Sequence, residues 1–357
     1  MLKDLLVIET AGVLAGPSVG MFFAELGARV VKVENPRSGG DVTRNWKLPS
    51  EDPASTISAY FSSVNHRKEH FFLDLTQPAD RTEFDALVAR ADVLISNHMQ
   101  KDAAKLGLEA ERLRALNPKL VHGHIAGYAD DRARPAYDVV LQAEAGYMGM
   151  TGTDAEHLAK IPVALIDVLA GHQLKEGLLL ALMERQRSGR GAYVEVALEE
   201  AALTGLVNQG TNWLMAGHVA RPIGTLHPNI APYGEVFRCA DGGRIVLAVG
   251  SDAQFAKLCD VLDLAATKAD ARYVSNPERV LNRRRLADDL GPAIALVDRD
   301  ALLAALKEAG VPAGAVNTMD QALSTPVAQR MEREETIEGR HTKRISGNAF
   351  RIQFHEG

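Results

Sequence analysis

Only two cysteines, Cys239 and Cys259, occur in 357 residues. They stand far apart and form no CxxC pair, so neither a disulfide framework nor a cysteine metal site is expected. No uninterrupted apolar run reaches about 18 residues, which excludes a membrane span. Asp4 and Glu9 interrupt the apolar start of the chain and break the h-region of a secretory signal, so a cytoplasmic protein is expected. The formal net charge is −6, and no global basic field points to nucleic acid. A GxSxG nucleophile elbow is missing. Metal ligands are sparse too. His66 and His70 sit in a charged stretch with no third ligand and read as a solvated turn, while His122 and His124 alternate on a strand and read as a packed pair. No metal site is expected.

Hydrophobic residues make up 46% of the chain and charged residues 24%, an ordinary globular composition whose length suggests two domains. Strand and helix patterns alternate through the first 200 or so residues. Strands are predicted at 5–11, 29–34, 71–75, 93–96, 120–125 and 193–197, with helices at 17–26, 79–89 and 108–116. This alternation predicts an α/β fold with a doubly wound parallel sheet. Ligands of such sheets bind outside the carboxyl ends of the strands, where the turn at 13–15, Asn97 and Asp167 all fall. Glu34 ends the second strand, as in dinucleotide-binding units, but the turn at 12–16 is not GxGxxG, and Pro17 removes an N–H that would face a phosphate. A long helical pattern opens at Asp167 and stops at Gly189 and Gly191. An Asp at a helix start is most often a cap. It is also a possible carboxylate nucleophile, favoured there by the helix dipole. Around 221–234 the composition turns rich in Pro, Gly and His. A hairpin is predicted at 235–249, then helices. The division expected is a large domain over 1–215, rejoined by the chain at about 325–357, and a small α+β domain over 222–320.

Several stretches together carry a resemblance: VIETAGVLAGPSVGMFFAELGARVVKVENP, GGDVTR, PAYDVVLQA, GYMGMTG, ALIDVLAG followed by LLALMERQRSGRGAYVEVAL, and APYGEVFRCADGG. In this order and spacing they resemble the class III CoA-transferase family, a superfamily that includes formyl-CoA and carnitine-CoA transferases and the α-methylacyl-CoA racemases. The resemblance implies a Rossmann-like large domain, a smaller domain and an interlocked homodimer. It implies that the protein moves CoA from an acyl-CoA donor to a small carboxylic acid, with CoA esters as substrates and no tightly bound cofactor. It makes Asp167 the nucleophile, forming an aspartyl acyl anhydride and then an aspartyl-CoA thioester. It places CoA contacts at Val13, Leu14, Ala15, Leu73, Asn97, His98, Lys105, Ala136, Tyr137 and Asp138. Arg44 closes the GGDVTR motif and is expected to grip a phosphate. Three positions depart from the formyl-CoA transferase: Leu14 replaces a glutamine, Asn35 an arginine and His98 an aromatic. Its glycine-rich loop is absent. Two alternatives stay open. An acyl-CoA racemase would need a histidine where Tyr137 stands, and a phenol with a pKa near 10 is a poor base at neutral pH. The other is a non-catalytic CoA-binding homologue.

Overall fold

The computed structural model describes residues 2–353 and His355. They form two compact units. The first comprises the chain up to Met148, Lys160–Ala220 and the stretch from Arg330; the second comprises Gly149–Ala159 and Arg221–Gln329.

Strands β1 (Leu6–Glu9), β2 (Arg29–Glu34), β3 (Lys68–Phe72), β4 (Val93–Ser96) and β5 (Val121–Ala126) come first, then a small hairpin of β6 (Gly152–Asp154) and β7 (His157–Leu158), then β8 (Ala192–Ala197). In the first unit β3-β2-β1-β4-β5-β8 form one six-stranded parallel sheet. The chain builds outward from β1 in one direction and then returns to build from β4 in the other. The loops after β1 and β4 therefore diverge and leave a crevice at the carboxyl edge. Helices cover both faces. On one face, Pro78–Val88 and Ala110–Leu116 bury Phe84, Leu87, Val88 and Leu113 against Ile8, Val31 and Leu94. On the other, the helix Ala15–Glu25 packs against β1, β2 and the 24-residue helix Leu165–Ser188, which also lies on β5 and β8. These two helices touch through Gly171. A Cβ there would stand 2.5 Å from Ser18 Oγ and 3.2 Å from the Ala15 carbonyl oxygen, so only glycine permits the approach.

The second unit holds β6 and β7, a sheet of β9 (Tyr233–Arg238), β10 (Arg244–Ala248) and β11 (Ala313–Ala315) in the order β11-β10-β9, and helices closing a core around Phe255, Leu258, Tyr273, Leu290 and Leu306. The last two strands, β12 (Glu332–Ile337) and β13 (Arg340–Ile345), pair as a hairpin in the first unit.

Two sequence expectations need correction. The third strand begins at Lys68 rather than residue 71, because alternate residues of the charged stretch, His66 and Lys68, point inward. His66 is buried against Glu335 at 2.9 Å, His70 contacts Glu34 at 2.9 Å, and the Lys68 ammonium is buried between both oxygens of Glu9 at 2.8 Å. Residues 66–67 do form a turn and Arg67 and Glu69 are exposed, but His66 and Lys68 are buried, each against a carboxylate that lets it be so. Pattern reading also missed the helix Gln100–Leu106 and the edge strand β11, both too short for a clear period.

Candidate active site

The crevice opens into a cavity of about 1120 Å³ inside the first unit. Its walls come from the turn after β1, the loop after β4, the segment 135–138 and the start of the long helix. Nine of the residues expected at the site line it: Val13, Leu14, Ala15, Asn97, His98, Ala136, Tyr137, Asp138 and Asp167. Arg44, Leu73 and Lys105 do not.

Buried polar groups hold the turn at 11–17 almost peptide by peptide. Lys32 Nζ donates to the Ala11 carbonyl at 2.8 Å. Asn97 brackets Gly12, accepting from its N–H at 3.1 Å and donating to its carbonyl at 2.9 Å. The Val13 N–H donates to Asp41 at 3.2 Å, and Lys68 donates to the Pro17 carbonyl at 2.9 Å. Val13 is held at φ +70°, a left-handed backbone that a β-branched residue rarely adopts. Beneath the turn, Lys32 spans Glu9 (3.0 Å) and Asp41 (3.1 Å). Burial pulls the Lys68 ammonium down to about 8 against the attraction of Glu9.

Asp167 is only 7% exposed. It is the third residue of its helix. Ala164 occupies the N-cap and supplies no side-chain bond, so Asp167 is not the cap. The cap comes from Asp138, whose Oδ1 accepts from the Ile166 N–H at 2.7 Å. Among the described residues no side chain or backbone N–H donates to the Asp167 carboxyl. Burial, and next the Asp138 charge, push its pKa up to about 7. Helical geometry puts Asp167 one turn before Gly171, so it stands over the first turn of the helix Ala15–Glu25. A largely buried carboxyl group without a partner, poised near neutrality and facing the cavity, is suited to nucleophilic attack.

Sequence reasoning missed Tyr60. Burial, followed by the charges of Asp167, Asp138 and Asp41, raises its phenol to about 12, so it stands protonated in the field of these carboxylates. It stands outside the cavity lining on a four-residue helix, Ala59–Ser62, which no sequence signal marked. His122 and His124 lie 2.8 and 2.9 Å from Ser96 Oγ. Burial lowers them to about 3 and about 4, so both are neutral. Among the described residues no cluster of three or more His, Cys, Asp or Glu could hold a metal ion, and no helix is long and apolar enough to cross a membrane.

The three residues outside the cavity have other work. Arg44 is 3% exposed, with its guanidinium held by Glu34 at 2.6 Å and Glu338 at 2.9 Å and stacked on Phe61. A phosphate bound there would have to compete with that network. Leu73 is buried in the core behind β2 and β3, its N–H bonded to the Glu34 carbonyl. Lys105 ends the helix Gln100–Leu106 with its side chain exposed.

A family model described as CoA-transferase family III matches residues 2–357. The chain is 37% identical over 337 residues to a succinate–glutarate CoA-transferase of Agrobacterium fabrum, covering 92% of this chain and 83% of the relative. It is 34% identical to a succinyl-CoA:mesaconate CoA-transferase of Haloarcula hispanica, covering 89% and 81%. A crystal structure of a CAIB/BAIF family protein from Brucella suis superposes with a TM-score of 0.86 at 34% identity, covering 99% of this chain and 92% of that one. With its α/β architecture and cavity-lining carboxylate, the chain belongs to CoA-transferase family III, enzymes that move coenzyme A between an acyl-CoA and a carboxylic acid.

Proposed function

We propose that Asp167 is the nucleophile of a two-stage exchange. Its carboxylate attacks the donor thioester carbonyl and expels CoA thiolate, leaving an aspartyl acyl anhydride. The thiolate returns to the aspartyl carbonyl, releases the donor acid and leaves an aspartyl-CoA thioester. The acceptor carboxylate attacks that thioester, and the thiolate then takes the acceptor acyl group from the second anhydride, freeing Asp167. Covalent catalysis divides one difficult exchange into easier steps. The single observation that carries this reading is the unpartnered, buried Asp167 carboxyl with its pKa near neutrality. Because an anhydride hydrolyses readily, burial also protects the intermediate.

The CoA arm lies along the turn at Val13, Leu14 and Ala15 and past Asn97 and His98, with Ala136 and Tyr137 on the facing wall. The relatives' names point to short dicarboxylic acids and their CoA esters as substrates. Tyr137 stands in place of a histidine base and favours transfer over racemisation. The working form is a homodimer in the cytoplasm. Exposed apolar side chains on the helix Val207–Ala216, among them Trp213, Leu214 and Met215, favour a covered surface there. Sedimentation at micromolar protein should give a dimer mass, and a monomer would refute the assembly.

The reading is tested by incubating the protein with succinyl-CoA and quenching with hydroxylamine. A hydroxamate at Asp167, found by peptide mapping, is expected. Exchange of CoA between two acids without any Asp167 adduct would overturn the assignment.

A further inference from the structure

The nucleophile's helix begins without a cap of its own. Ala164 at the N-cap offers no side-chain acceptor, and the first N–H groups of a helix need one. The need is met from another helix, Asp138–Glu144. Asp138 Oδ1 accepts from Ile166 N–H at 2.7 Å, and its Oδ2 accepts from Gln142 Nε2 at 2.6 Å. Gln142 is fully buried. Its Oε1 accepts from the Ile161 N–H at 2.8 Å, while Nε2 also reaches the carbonyls of Ile161 and Val163 at 3.3 and 3.4 Å. Two side chains one turn apart thus hold both ends of the segment 161–166 that leads into Asp167.

We propose that Asp138 and Gln142 form a positioning clamp for Asp167: the clamp fixes the first turn of the nucleophile's helix and keeps an unneutralised carboxylate beside it, without bonding to CoA or to the acyl group. The proposal rests on Asp167 being the nucleophile. It assigns Asp138 a role other than the CoA contact that the family resemblance implies. The reason is where its hydrogen bonds go: Oδ1 accepts directly from the Ile166 N–H, and Oδ2 accepts from Gln142, which itself bonds the backbone at Ile161 and Val163. No cation pairs with Asp138 among the described residues.

The elements packed around the nucleophile's helix carry other ionisable groups. These are Glu25 on the first helix, His122 and His124 on β5, Tyr193 and Glu195 on β8, Glu199 and Glu200 on the helix after β8, Glu144 beyond Gln142, and Tyr60. None of them adds to the shift at Asp167, where after burial only the Asp138 charge acts. The two histidines are neutral. Glu144 is engaged by Arg134 and Tyr128.

The test uses the full-length protein with Asp138→Ala and Asp138→Asn, and Asp167→Asn as reference. Amide hydrogen exchange at Ile166 reads the clamp directly, whether or not CoA is transferred, and should speed up at least about tenfold in Asp138→Ala as its acceptor is lost. In CoA exchange with succinyl-CoA and glutarate, kcat should fall by up to about 10²-fold, the scale of a misplaced reacting group. KM for the CoA ester should stay within about twofold. The acid limb of the pH–rate profile should move to lower pH in Asp138→Asn, because the like charge is gone. That variant keeps the shape of Asp138 and remains informative if the alanine variant fails to fold. Unchanged protection of Ile166 would overturn the clamp, as would a tenfold rise in KM with kcat and the pH limb untouched, which is the mark of a CoA contact. Absence of exchange in the unsubstituted protein would instead defeat the transferase reading, and Ile166 protection would still decide the clamp.

Discussion

Glu9 and Asp167 are both buried carboxylates of the same unit, and they are treated in opposite ways. Glu9 sits under the sheet's first turn, where Lys32 and Lys68 donate three bonds of 2.8 to 3.0 Å to its oxygens. Nearby Glu34 is gripped by Arg44 and His70. Although burial opposes it, their hydrogen bonds and charges hold its pKa well below the usual carboxylate range. Asp167, by contrast, receives no donor, and its only charged influence is another carboxylate. Burying a charge is costly unless it is paired. The floor of the site spends paired charges to hold a strained turn rigid, whereas its wall leaves one charge unmet. The unmet charge is the one proposed to react, since the field that disfavours ionisation also makes the carboxylate a stronger base.

The sharpest test of this contrast is Asp167→Asn. Exchange should fall at least about 10³-fold while CoA esters still raise the melting temperature. Stability should move the other way. The carboxyl titrates at about 7 when folded and at its ordinary 3.8 when unfolded. The unfolded chain therefore releases its proton first, and the unsubstituted protein loses stability as pH rises from about 4 to about 7. At pH 8 the asparagine variant should be more stable by up to about 4 kcal/mol, and at pH 3 it should show no such gain. Denaturant unfolding across pH measures this; a flat difference would mean that Asp167 has a partner in solution.

Lys68→Met probes the floor. Removing one member of a buried network leaves charge uncompensated, and a loss of roughly 3–5 kcal/mol is expected in urea unfolding. A loss below about 1 kcal/mol would remove the distinction between floor and wall. The smallest effects separate two residues that the sequence reading placed at CoA, Asn97 by the family resemblance and Arg44 by its charge. Asn97→Ala frees Gly12 and should raise KM for the CoA ester about tenfold. Arg44→Lys should lower the melting temperature by a few degrees through loss of its bidentate grip on Glu34, with KM within about twofold. The reverse pattern would return Arg44 to the phosphate.

Local pattern reached far in the first unit. Residues 29–34 and 93–96 are strands at the expected bounds because short runs rich in Val and Ile between helical patterns suit a buried parallel strand. Asp167 was legible as a residue at a helix start between apolar segments. Its freedom from capping was not, because a helix start shows only its own neighbours in sequence, and the actual cap lies 28 residues earlier. The charges at 65–70 read as solvent-facing for a similar reason: their partners Glu9, Glu34 and Glu335 are remote in the chain. Tyr60 carried no motif at all.

By itself the sequence determined the alternation of strands and helices, the parallel sheet, the family, and the short set of side chains able to do carboxylate chemistry, since all of these follow from residue type and spacing. Only the tertiary structure decided which charges are paired and which stand alone. It buried Arg44 between Glu34 and Glu338, put Asp138 on the start of the helix that carries Asp167 and, among the described residues, left Asp167 without a donor. Ionisation in a protein interior depends on desolvation and on charges within a few ångströms, and those neighbours are set by folding.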